Sequence, residues 1–180
     1  MHVRVIAIAG AVLALTTVPC ATARAQFSIG ANAGVAFPTG DIANSVNTGY
    51  TIAITAGSKS TGANPLGFRA EGSFSEFGWQ QQGFDIKHRI VAGIANLTYD
   101  LMPSSTGALY GIGGVGIYGS YDNGSGGSSS THTSPGFNVG GGYRFALSGF
   151  SCYLEARYHY TSGGSIGNDS YVPLTFGVQF

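Results

Sequence analysis

Glu155, Arg157 and His159 recur at every second position, and Arg69 and Glu71 repeat that spacing earlier in the chain. In an extended segment residues two apart share a face, so each set presents its ionisable groups on one side. His159, with Thr161 and Ser162 just after it, is the group best suited to acid–base work. An imidazole beside a hydroxyl can activate it for attack on an ester. Gly111, Gly113 and Gly116 satisfy the spacing G-x-G-x-x-G, which in a dinucleotide-binding unit opens a helix onto a pyrophosphate. Asp41, Asp122 and Asp169, with Asn44, Asn123 and Asn168 nearby, carry oxygens of the kind that hold Ca²⁺.

Each of these chemistries meets an obstacle in the surrounding sequence. The glycine fingerprint needs a helix after it and an acidic residue about 20 positions on; here Ile117, Tyr118 and a Ser/Gly-rich stretch follow. The acidic and amide residues lack EF-hand spacing and read as solvated loop positions. The R-Y-H-Y-T-S-G-G stretch around His159 resembles, loosely, the lipid A deacylase barrels, which carry His-x-Ser-Asn late in the chain with a downstream acid. This sequence has Thr161 in place of that serine, Ser162 in place of the asparagine, and Asp169 as the later acid. His159 shares its face with Glu155 and Arg157, which places it in a polar set instead. The expectation is no catalytic residue, no cofactor and no metal.

The elements that must position these groups are strands. Residues 1–25 have the order of a secretory signal: His2 and Arg4, an apolar run over 5–15, Pro19, then Ala23-Arg24-Ala25. Cleavage is expected between Ala25 and Gln26. Pro19 disfavours a lipid-attachment reading at Cys20. Two of the 8 basic residues, Arg4 and Arg24, leave with the signal, so the remainder has 6 basic against 8 acidic residues. A basic nucleic-acid surface is excluded on that balance. Cys152 is left without a partner for an intramolecular disulfide and reads as a small apolar strand residue.

Charged residues make up 9% of the chain, against roughly 25% in an average soluble protein. Such a chain must either remain disordered or face something other than water, and regular alternation argues for the second. Alternating segments fall near 27–37, 50–57, 66–74, 86–101, 109–118, 137–147, 152–160 and 171–180. Apolar side chains occupy one face, and Arg69, Glu71, Arg144, Glu155, Arg157 and His159 the other. The segment 109–118 is so rich in glycine that its facing is ambiguous. Connections alternate between long (37–50, 76–85, 121–135, 162–170) and short (59–65, 102–106, 148–149). Lipid offers no hydrogen bonds, so strands cross it only as a closed sheet. About eight strands enclose a bore that side chains can fill.

The signal segment, G-I-G-G-V-G-I-Y-G over 111–119, G-G-G-Y-R-F over 140–145 and Y-V-P-L-T-F-G-V-Q-F over 171–180 together resemble the small bacterial outer-membrane barrels of the OmpA/OmpX and opacity-protein kind. The resemblance implies an all-β, eight-stranded antiparallel up-and-down transmembrane barrel over residues 26–180. It also implies an outer-membrane location, with short turns in the periplasm and four long loops outside. Implied partners are outer-membrane lipid and lipopolysaccharide, an extracellular ligand at the loops, and the barrel-assembly machinery, which would read the terminal strand through Phe176 and Phe180. The expected interior is a packed polar network of Arg69, Glu71, Arg144, Glu155, Arg157 and His159. Tyr and Phe at segment ends (Phe27, Phe37, Tyr50, Tyr99, Tyr160, Tyr171) are expected in interfacial girdles. The function expected is envelope structure or surface interaction without catalysis. Alternatives are a lipid A hydrolase, a narrow pore or small-hydrophobe conduit, and a soluble lipocalin-like carrier with the faces reversed.

Overall fold

Alternation of side chains at a period of two produces eight strands in the computed structural model, which describes residues 27–58, 60, 64–80, 87–104, 106–123, 131–164 and 167–180. The expected signal segment and its Ala25–Gln26 junction lie outside the described residues. In chain order the strands are β1 (Phe27–Thr39), β2 (Gly49–Ser58), β3 (Leu66–Gly78), β4 (Lys87–Pro103), β5 (Gly107–Asn123), β6 (Thr131–Ala146), β7 (Ser151–Gly164) and β8 (Gly167–Gln179). Each pairs antiparallel with its neighbours in sequence, and β1 also pairs with β8, so the sheet is a closed up-and-down barrel. The terminal Phe180 completes that seam: its N–H donates to the Ile29 carbonyl at 2.8 Å, and Ile29 N–H donates back at 3.2 Å. Closure removes every free edge, the condition a sheet must meet to sit in hydrocarbon.

The facing of the apolar residues decides between a membrane barrel and a soluble carrier. Val139, Leu154, Leu174 and Phe176 are 55, 48, 45 and 55% exposed on the outside of the sheet. Arg69, Glu71, Glu155, Arg157 and His159 are buried in the bore. This is a soluble barrel turned inside out. The ambiguous glycine-rich segment resolves within β5: Leu109, Val115 and Ile117 face outward, and Tyr110, Ile112 and Tyr118 face inward. A register shift between Asp100 and Met102 interrupts the β4–β5 ladder. The bulge lets Leu101 and Met102 both remain exposed.

Three expectations need correction. Tyr171 is buried inside the bore rather than placed in an outer girdle, because it shares its parity with Pro173 and Thr175. The connection expected as a long loop over 162–170 is mostly strand: β7 and β8 stay paired up to Gly164 and Gly167, leaving residues 165–166 between them. The interior is also less polar than expected. Towards the rim that carries the longer connections, Ala36, Phe77, Ile90, Ala92, Ile94, Tyr118 and Tyr171 form an apolar cluster.

At the other rim the connections are tight. In the turn between β6 and β7, Leu147 N–H donates to the Phe150 carbonyl at 3.0 Å. Gly149 holds φ at 90° there, a value that a side chain would oppose.

Candidate functional site

The chemistry-bearing residues converge inside the barrel, and the ring order of the strands explains how. Strands β3 and β7 stand four apart in a ring of eight, so they face each other across the bore. Arg69 and Glu71 project from β3; Glu155, Arg157 and His159 project from β7. Arg69 Nη2 donates to both oxygens of Glu155 at 2.7 Å. Arg157 donates through Nε to Glu155 Oε1 at 2.9 Å and through Nη2 to Glu71 Oε1 at 2.7 Å. Arg69 Nε and Glu71 Oε2 close the circuit at 3.8 Å. The result is a four-membered ring of alternating sign that ties opposite walls together with no net charge.

Aromatic and amide groups complete the ring's surroundings. Tyr110 Oη donates to Glu155 Oε2 at 2.6 Å. The Arg69 guanidinium lies 5.4 Å from the centre of the Tyr153 ring, and Asn32 Nδ2 donates to Tyr153 Oη at 3.0 Å. A buried ion pair is tolerable when its remaining polar atoms find partners; Tyr110 supplies one for Glu155, whereas Arg69 Nε, Glu71 Oε2 and Arg157 Nη1 make no hydrogen bond and are held by charge alone. Three inward glycines make the room. A Cβ on Gly177 would run into the Tyr153 ring, one on Gly142 would crowd the Tyr110 hydroxyl, and one on Gly136 would meet the Tyr118 ring. Gly177→Ala is therefore expected to destabilise the barrel by about 1–3 kcal/mol through overpacking, read as a lower urea midpoint in refolded vesicles. Alanine-like tolerance at Gly177 would mean that the Tyr153 ring is not held where the structure puts it.

Arg144 belongs elsewhere. It donates to Asp100 Oδ1 at 3.3 Å and to Ser60 Oγ at 3.0 Å, with its guanidinium 5.1 Å from the Tyr110 ring centre, nearer the short-turn rim. Beside the ring, Asn138, paired in register with His159, donates through Nδ2 to Oδ1 of Asn96, paired with Arg69, at 2.8 Å.

His159 sits on the other side of the ring, towards the long-connection rim. Its Nδ1 lies 3.0 Å from Tyr118 Oη, and its ring stacks on Tyr171 at 4.9 Å. Asp169, expected in an exposed loop, is instead buried on β8 with Oδ1 at 3.6 Å from His88 Nε2. Asp41 lies in the short 3₁₀ turn Gly40–Asn44, where its Oδ2 accepts from Asn168 N–H at 3.4 Å, and Asp122 lies on β5.

The first connection folds inward over the same rim. Ile42 and Val46 are buried in the apolar cluster over Phe77 and Tyr171. The segment is pinned to the next connection by Asn47 N–H donating to the Gly78 carbonyl at 2.7 Å and Gln80 N–H to the Ser45 carbonyl at 3.0 Å. Inside the bore, one void lined by Arg69, Tyr110, Arg144 and Tyr153, and another lined by Glu71, Arg157, His159 and Tyr171, measure about 10 Å³ each. Each is of the order of one water.

Sequence reasoning brought forward the four ring residues, singled out Asp169 but placed it in a loop, and missed Tyr110, Tyr153, Asn32 and His88. Tyr153 shares the period of Glu155 and Arg157 and was readable from it. Tyr110 was hidden by the glycines around it. Phe176 faces outward on β8, while Phe180 is exposed beside Phe150 at 6.0 Å between ring centres.

Comparison with solved structures gives the same architecture. Neisserial surface protein A is 22% identical over 85% of this chain and 95% of its own, with a TM-score of 0.67. The attachment invasion locus protein Ail of Yersinia pestis is 16% identical over 86% of this chain and 96% of its own, with a TM-score of 0.49. The N-terminal β-barrel domain of Pseudomonas aeruginosa OprF is 14% identical over 85% of this chain and 97% of its own, also with a TM-score of 0.49. No protein-family model matches the chain, and no curated protein does. The likeness to the Neisserial protein shows a shared fold, that of a small eight-stranded outer-membrane barrel.

Proposed function

We propose that this chain is a non-enzymatic protein of the bacterial outer membrane, with a sealed bore and a role in envelope structure or surface interaction. The observation that carries this reading is the reversal of faces: exposed Leu, Ile, Val and Phe outside, a charge-paired ring inside. In this reading both ends of the described chain and the short turns lie in the periplasm, and the longer connections face outward from the cell. Phe176 and Phe180, on the strand that closes the seam, are the residues offered to the barrel-assembly machinery. Lipid and lipopolysaccharide surround the wall, and the outer connections are the surface available to an extracellular ligand.

The rival readings each require a feature placed otherwise. A lipocalin-like carrier needs an apolar bore, and this one holds four interlocked charges. A lipid A hydrolase working through His159 needs that imidazole to reach lipid, yet it is buried inside the wall between Tyr118 and Tyr171. A pore or conduit needs a passage through the Ile42–Val46 closure and the ion-pair ring.

The chain should partition into the outer-membrane fraction of an expressing diderm cell, and should migrate differently in gels with and without heating. Recovery in the soluble periplasmic fraction, with no heat-dependent shift, would overturn the membrane reading. Planar-bilayer recordings are expected to show no steady conductance; regular open steps would replace the sealed bore with a channel.

A further inference from the structure

Among the described strand residues, outward-facing formal charge occurs in one place. Glu76 on β3 and Lys87 and Arg89 on β4 face outward near the long-connection rim, where Glu76 pairs in register with Arg89. Arg89 Nε donates to Glu76 Oε2 at 2.7 Å, and Lys87 Nζ lies 3.1 Å from Glu76 Oε1. One step down the same outer face, Phe74 pairs with Val91. Those two side chains line an open apolar groove of about 460 Å³, together with Ala31, Ile52, Ile54 and Gly72. The groove owes part of its depth to Gly72: a Cβ there would touch Ile54 at 3.8 Å and otherwise meet open space.

We infer that this face seats one phosphorylated, acylated glycolipid of the outer leaflet. An acyl chain lies in the groove, and a phosphate at headgroup level accepts hydrogen bonds from Arg89 and Lys87. The inference rests on the outer-membrane reading, which puts the long-connection rim at the outer leaflet. Glu76 holds both cations side by side at one level of the wall. Guanidinium and ammonium groups are the side chains that hold phosphate oxygens. A groove lined by Ile, Phe, Val and Ala suits hydrocarbon. The vertical order, cations above and groove below, is that of a phosphate above its acyl chains.

The test titrates purified lipid A onto the barrel refolded in neutral detergent, and counts retained lipid by native mass spectrometry. Lys87→Gln/Arg89→Gln should lower lipid A affinity on the order of tenfold, as expected for two cations near a lipid surface. Gly72→Leu, which fills the groove, should lower it several-fold. Gly111→Leu, at an outward glycine with equally open space towards the other rim, should leave it unchanged. Lipid A stripped of phosphate should bind the wild-type protein no better than intact lipid A binds the double variant.

Wild-type affinity in the double variant or in Gly72→Leu would overturn the inference. So would equal affinity for phosphatidylglycerol, or a protein dimer that Gly72→Leu dissolves without any lipid. Heat-dependent migration separates the two levels. A wild-type chain that never inserts sinks the membrane reading itself, and this inference with it. Folded variants that keep wild-type lipid A affinity sink the lipid seat alone.

Discussion

Glu155→Ala should cost the barrel about 3–5 kcal/mol, the range for removing one member of a buried ion pair. Glu155 accepts two hydrogen bonds from Arg69, one from Arg157 and one from Tyr110. Its loss leaves two guanidinium groups facing each other inside a narrow bore, with Glu71 alone to balance them. The penalty therefore comes from stranded cations as much as from lost contacts. Glu155→Gln keeps the shape and some hydrogen bonding but not the charge, so it should fall between wild type and alanine. Arg144→Ala breaks a single 3.3 Å contact to a carboxylate nearer the rim and should cost less, about 1–3 kcal/mol for the partner left unpaired. Urea unfolding of the three variants in vesicles measures the series. Equal losses for Glu155→Ala and Arg144→Ala would show that the ring is no more than a collection of independent contacts.

That ordering of costs follows from topology, and topology is the part of this protein that the sequence discloses best. Period two placed Arg69 with Glu71, and Glu155 with Arg157, on one face each. Closing eight strands into a ring then puts β3 opposite β7, which turns two local pairs into one circuit. Nothing local to either segment says that they meet. Arg144 has the same parity as the ring's residues and was grouped with them, yet its height along the bore delivers it to Asp100 and Ser60. Parity gives the face of a residue; register gives its height, and register comes from pairing.

The apolar half of the bore was hidden for a related reason. Ile90, Ile94, Ile112, Tyr118 and Tyr171 face inward, although hydrophobicity alone would send them outward. The stretch Ile90 to Ile94 of β4 is apolar or small on both faces and β5 is broken up by glycines, so alternation carries little signal there. The fate of Asp169 shows the same limit from the polar side. Flanked by Asn168 and Ser170, it has the composition of a loop, but β7 and β8 remain paired beyond it and carry it into the bore beside His88. Composition misleads where a hairpin stays paired beyond its last apolar residues.

Val139→Arg is the second large effect, and it separates the environments that the outer wall can face. Val139 is 55% exposed on β6, with Leu97 and Tyr158 lying on its row across β5 and β7. On the surface of a water-soluble carrier, arginine at such a position would change stability by about 0.5 kcal/mol or less, and by its charge would aid solubility. On the lipid face of a membrane barrel, the same guanidinium must be held in hydrocarbon, at a cost of about 2–4 kcal/mol near the midplane and falling towards either interface. Lys87 tests the depth dependence, since it already stands as a cation on that outer face at the rim. Moving an arginine down the outside of β6, from position 133 through 135 and 137 to 139, should therefore trace a rising penalty in vesicle unfolding. A flat profile would mean that this surface meets water along its whole height, and that the apolar side chains outside the barrel have no lipid to face.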